Sequence, residues 1–218
     1  MKSEHSEHLK KEFDCQVETL LQKGYPKLAG VSVASFKKAL QPLRAKVTKS
    51  TLVEINLDEG KLPFVIVIRS EWVTTEKAFQ RVERQGKKGF VSMFPVEPES
   101  FEPIEGIKIP RSRAYLLLDI DRGKKTLNVA PDAALKMIKK EKRSPLIIAE
   151  GIAILTHYPE FLKKNNCFSM LASRCGDRRV PALWLSAGRP KLGWCWAGNP
   201  HTWLGSASCG KRVGLLKK

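Results

Sequence analysis

The run Tyr115-Leu116-Leu117-Leu118-Asp119-Ile120 carries one polar residue in six. A strand with one face in water alternates apolar with polar residues, whereas a near-continuous apolar run belongs to a strand covered on both faces. Such a strand needs sheet neighbours on either side and packed layers above and below, and the remaining sequence supplies candidates for both. Alternation and β-branched content predict strands over residues 52–57 and 64–69, joined as a hairpin by Asp58-Glu59-Gly60-Lys61, and a short strand over 90–94. Downstream, strands are expected over residues 168–172, 180–186 and 191–197.

The helices expected to cover these strands follow from 3.6-residue spacing. Over residues 4–23, Leu9, Phe13, Val17, Leu20 and Leu21 share one stripe, and Gly24 stops the helix. A second helix starts at Ser35 with Phe36, Ala39, Leu40 and Leu43 at helical spacing, and Pro42 is expected to end or bend it. Thr75 caps a helix carrying Phe79 and Val82, Pro131 opens another, and a further one spans 149–157 with a turn through Phe161 and Leu162. The sum is an α+β fold, a mixed and largely antiparallel sheet with packed helices. Residues 95–110 hold four prolines, four glutamates and no expected regular element. They read as a linker or surface loop between an N-terminal α+β region, 1–94, and a C-terminal one, 111–218, or as a loop within one domain.

Charge bounds function more tightly than motif. The chain of 218 residues has 39 basic and 22 acidic side chains, a net +17. That excess attracts polyanions, so an anionic ligand, DNA or RNA above all, is the expected partner. The N-terminus lacks the apolar stretch of a secretory signal. The most apolar run, residues 146–155, is half the length of a membrane span. Five cysteines without compact spacing point to free thiols in the cytoplasm.

Residues 167–218 concentrate four of the five tryptophans and four of the five cysteines, with nine Lys or Arg against Asp177 alone. In the segment Leu192-Gly193-Trp194-Cys195-Trp196-Ala197, strand alternation puts Trp194 and Trp196 on one face and small residues on the other. With Arg178, Arg179, Arg189 and Lys191 nearby, and Asn199, His201 and Trp203 following, these tryptophans form a candidate stacking platform for bases with phosphate contacts beside it. The competing reading is that the tryptophans fill core. Cys195, His201 and Asp177 have the residue types of a nucleophile, its base and an orienting acid, which would make a small hydrolase or transferase acting on a small or phosphorylated substrate. A third reading is a protein-partner module using exposed tryptophans.

Weaker constellations are also present. Cys167, Cys175, Cys195 and Cys209 lack the close pairing of zinc sites, so no metal and no cofactor is expected. Gly205 to Arg212 matches G-x-x-x-x-G-K with Arg in place of Ser or Thr, and reads at most as an anion-binding nest. Asp119-Ile120-Asp121 resembles the strand end of haloacid-dehalogenase-type phosphotransferases, without the later paired acids. His5, His8 and Glu12 share a helix face that is better explained as solvated.

The segments LLLDIDRG ending at Gly123, EGIAILTHYPE from Glu150, GDRRVPALWLS from Gly176 and PKLGWCWAGNPHTWLGSASCG from Pro190 resemble, over residues 114–210, an uncharacterised bacterial family defined only as a domain of unknown function. The resemblance implies a bacterial, cytoplasmic protein and brings no catalytic residue with it.

Overall fold

A computed structural model describes residues 2–47 and 54–215. Among them the helices are α1 (Lys2–Gln22), α2 (Tyr25–Leu28), α3 (Val33–Val47), α4 (Thr75–Phe79), α5 (Pro131–Lys140) and α6 (Ile148–His157). The strands are β1 (Lys61–Ile68), β2 (Glu83–Arg84), β3 (Lys87–Lys88), β4 (Phe90–Val91), β5 (Glu102–Pro103), β6 (Ala114–Asp121), β7 (Ser144–Pro145), β8 (Cys167–Ser169), β9 (Ser173–Arg174), β10 (Arg179–Ser186), β11 (Arg189–Trp196), β12 (Leu204–Ser206) and β13 (Ser208–Val213). The fold is α+β with mostly antiparallel sheets, as expected, but the strands divide into two main sheets instead of one. The first has the order β1-β6-β13-β7 and the second β12-β8-β10-β11-β4, with two two-stranded ribbons beside them.

β6 contains the near-continuous apolar run. It lies between β1 and β13 with Tyr115, Leu116, Leu117, Leu118 and Ile120 all buried. Its neighbour β1 is an edge strand, and an edge exposes unpaired backbone groups. Here side chains stand in for the missing strand. Gln16 of α1, 2 % exposed, donates to the Phe64 carbonyl at 3.2 Å and accepts from the Ile66 N–H at 2.9 Å, and His157 Nε2 lies 3.1 Å from the Ile66 carbonyl.

Arg212 of β13 is buried against Glu150 of α6, Nε to Oε1 at 2.5 Å and Nη2 to Oε2 at 2.7 Å. The Tyr115 hydroxyl and the Ile147 N–H donate to the same carboxylate at 2.8 and 2.9 Å. Every oxygen of a fully buried charge is thereby used, the condition under which an ion pair survives in a core.

Several local expectations change. The predicted 52–57 strand falls partly outside the described residues, and residues 54–57 contribute only an isolated bridge from Asn56 to Lys61. Pro42 does not end α3, which continues to Val47. Proline in a helix interior costs about 3 kcal/mol, but this one faces solvent while Phe36, Leu40, Leu43 and Val47 are buried on the opposite stripe. The start of α3 is also earlier: Ser32 Oγ, not Ser35, accepts the capping bond, from Ser35 N–H at 3.2 Å. Thr75 likewise lies inside α4, whose N-cap is Thr74, and Thr74 makes no side-chain cap bond. The 95–110 segment contains a short 3-10 turn, Pro98–Ser100, and β5, which pairs with β9.

The Gly205–Arg212 nest is not formed. Those residues make strands β12 and β13. Gly205 is glycine because β12 presses against the 123 turn: a Cβ there would lie 2.4 Å from the Gly123 carbonyl oxygen. Asp119 and Asp121 are each engaged by a cation, Arg143 at 2.6 Å and Lys61 at 2.5 Å.

Candidate functional site

The second sheet sorts the residues singled out from sequence onto two faces. In the β10–β11 register Arg179 opposes Trp196, Pro181 opposes Trp194 and Trp184 opposes Lys191. Because side chains alternate, Arg179, Trp194 and Trp196 share one face and Trp184, Lys191, Gly193 and Cys195 the other.

The first face is closed by its own residues. The Arg179 guanidinium lies 4.7 Å from the Trp194 ring centroid and 5.2 Å from that of Trp196, and it is ion-paired with Asp177. The two indoles meet at 5.1 Å and 67°, edge to face, which leaves no parallel slot between them. Trp194 Nε1 donates to the Met93 carbonyl at 2.9 Å, and Trp196 remains 42 % exposed. The Asp177 carboxyl is held below its ordinary range by the Arg179 backbone N–H, with the Cys175 thiol and the Arg179 guanidinium adding to it. Arg178 pairs with Asp132 at 3.3 Å.

The second face is open where α5 does not cover it, Val180 being packed in one cluster with Ala134 and Ile138. β11 pairs with β10 on one side and, in parallel, with β4 on the other, so Phe90, Lys191 and Trp184 fall in one line across three strands. The Lys191 ammonium lies 5.7 Å from the Phe90 centroid and 5.0 Å from that of Trp184. Arg189 flanks Phe90 at 4.8 Å. At the far end Trp184 meets Trp203 at 6.1 Å, and Trp203 meets His201 at 5.2 Å and 32°. The result is a continuous row, Arg189–Phe90–Lys191–Trp184–Trp203–His201, in which each ring is partly exposed. Gly193 makes room for it, since a Cβ there would sit 2.3 Å from Cη2 of Trp184.

Electrostatically the two faces also part. Among the described residues, no carboxylate lies within ion-pair distance of Lys191, Arg189, or the adjacent Lys87 and Lys88.

Cys195, His201 and Asp177 are not brought together. Burial pushes the Cys195 thiol up to about 11, no hydrogen bond joins it to His201, and Asp177 is committed to Arg179 and to the Cys175 thiol at 3.2 Å. A thiol so far above neutrality is protonated and weakly nucleophilic. Asn199 is exposed in the turn before His201. Among the described residues no group of three His, Cys, Asp or Glu side chains is arranged to hold a metal ion. Among the described residues no helix is long and apolar enough to cross a membrane.

Thus Arg189, Lys191, His201 and Trp203 fall on the open row and Arg178, Arg179, Trp194 and Trp196 do not. Sequence reasoning missed Phe90 and Trp184. Trp184 was readable, since it sits in an expected strand at the alternate position from the buried Leu183; Phe90 was not, because its parallel pairing spans about a hundred residues.

The family model of DUF5701, a family of unknown function, matches residues 19–215. No curated protein and no solved structure matches the chain.

Proposed function

Since the chain belongs to DUF5701, a family of unknown function, we propose from its own geometry that it binds single-stranded nucleic acid across the open face of the second sheet. The observation that carries this reading is the row in which partly exposed rings stand beside cations that, among the described residues, have no carboxylate partner. Rings on a sheet face stack unpaired bases with little regard to sequence, and unneutralised Lys and Arg track the phosphates. A duplex hides its base faces and offers only its backbone, so single strands are preferred. Net charge of +17 adds a long-range attraction. All five cysteines are free thiols, which fits action in a reducing compartment such as the cytoplasm.

The test is a tryptophan-fluorescence titration with single- and double-stranded oligonucleotides at two salt concentrations. Tighter binding of the single strand, weakening steeply with salt, is expected; no binding at low salt would sink the proposal.

A further inference from the structure

Away from the row, the mouth of the first sheet places like charges side by side. The Arg69 N–H donates to the Arg113 carbonyl at 3.0 Å, continuing the β1–β6 register by one residue, so the two arginines are cross-strand neighbours. Like charges in that position destabilise a sheet. Glu71 neutralises Arg69. Nothing neutralises Arg113, whose guanidinium lies 5.5 Å from the Trp72 centroid, or Arg111 two residues before it; among the described residues neither has a carboxylate within ion-pair distance. Trp72 is itself braced by Phe36, stacked at 4.9 Å and 26°.

Arg69, Glu71, Trp72, Arg111 and Arg113 line a cleft of about 330 Å³. A second cleft of about 220 Å³ has walls that include Tyr115, Phe101 and Ile148, and its charged residues are Glu71, Glu99 and Glu102 against Arg69. The clefts share Arg69 and Glu71 and carry opposite net charge. Arg113, braced on the Trp72 ring, and Arg111 beside it put two guanidinium groups on one cleft, and planar guanidinium forks suit the oxygens of a phosphate dianion.

We propose that the two clefts form one site for a small phosphomonoester bearing an amine, its phosphate on Arg111 and Arg113 and its ammonium toward Glu99 and Glu102. The site is independent of the nucleic-acid row and does not rest on it.

Isothermal titration calorimetry of the whole chain with O-phosphoethanolamine, inorganic phosphate and ethanolamine tests this. Phosphoethanolamine is expected to bind more tightly than phosphate, and ethanolamine not at all. The pair Arg111→Ala and Arg113→Ala, with its fold checked by circular dichroism, should weaken phosphoethanolamine at least about tenfold, as removal of charge-assisted bonds implies. Glu99→Gln with Glu102→Gln should bring phosphoethanolamine down to the affinity of phosphate while leaving phosphate unchanged. Trp184→Ala, which disables the row, should change neither. Absence of saturable heat with phosphoethanolamine at millimolar concentration, or equal affinity of the arginine variant and the parent, overturns the site; equal affinity of phosphate and phosphoethanolamine for the parent overturns its two-lobed form.

Discussion

Arg212 in the first sheet and Lys191 with Arg189 in the second hold positive charge in opposite ways. In the first, Arg212 is enclosed with Glu150, with Tyr115 and the Ile147 N–H completing the carboxylate's bonds. In the second, Lys191 and Arg189 lie among partly exposed rings and, among the described residues, have no carboxylate within ion-pair distance. Removing one partner of a buried ion pair leaves the other charge uncompensated, whereas a surface cation without a partner is merely available. The charge of Arg212 is therefore read as structural and the charges of Lys191 and Arg189 as functional, and composition alone cannot tell them apart.

The sharpest way to break this contrast is to truncate one arginine from each. Arg212→Ala leaves Glu150 charged and unpaired in the core and should cost about 3–5 kcal/mol, measured by urea denaturation. Arg189→Ala should stay within about 0.5 kcal/mol. Similar costs for both would erase the distinction.

Acid should act on the interior before the surface. Burial pushes the His157 ring down to about 4 from 6.5, so the folded chain holds it neutral where the unfolded chain would protonate it. Its contribution is whole above pH 6.5, is lost as pH falls from 6.5 toward 4, and changes no further below that; the total is about 3 kcal/mol. His157→Gln keeps a donor for the Ile66 carbonyl and cannot titrate, so its stability curve should be flatter across that window. An unchanged slope would contradict the assignment.

On the second sheet the contrast sharpens into one between faces. Trp184→Ala should lower affinity for a single-stranded oligonucleotide by about 1–3 kcal/mol, the worth of a stacked base. Arg179→Ala, on the closed face and already neutralised by Asp177, should change it by less than about twofold, as for a paired surface charge. Equal effects would mean that the row is not the binding surface.

How far the sequence foretold this depends on distance along the chain. Local signals held: the stripe of Leu9, Phe13, Val17 and Leu20 is buried, and β6 is enclosed as its unbroken apolar run requires. The signals that failed needed tertiary context. Pro42 is overridden by the buried stripe of α3, and the anion-binding nest that Gly205 to Arg212 could at most have formed gives way to strands, because closeness to Gly123 is invisible in sequence. The candidate site was half legible. Alternation correctly opposed Trp194 and Trp196 to Cys195, but only the cross-strand register shows that Arg179 covers those indoles and that Lys191 stands between Phe90 and Trp184. Arg113 and Arg69, adjacent across two strands, lie too far apart in sequence to be read as one patch.

The most direct test of the nucleic-acid row is the salt dependence of single-strand binding, measured by fluorescence anisotropy for the parent chain, Lys191→Ala and Arg179→Ala. Removing one cation that neutralises a phosphate should reduce the magnitude of the slope of log K against log salt by about 0.7. That reduction is expected for Lys191→Ala and none for Arg179→Ala. An unchanged slope for Lys191→Ala, or the same reduction in both variants, would contradict binding across the open face.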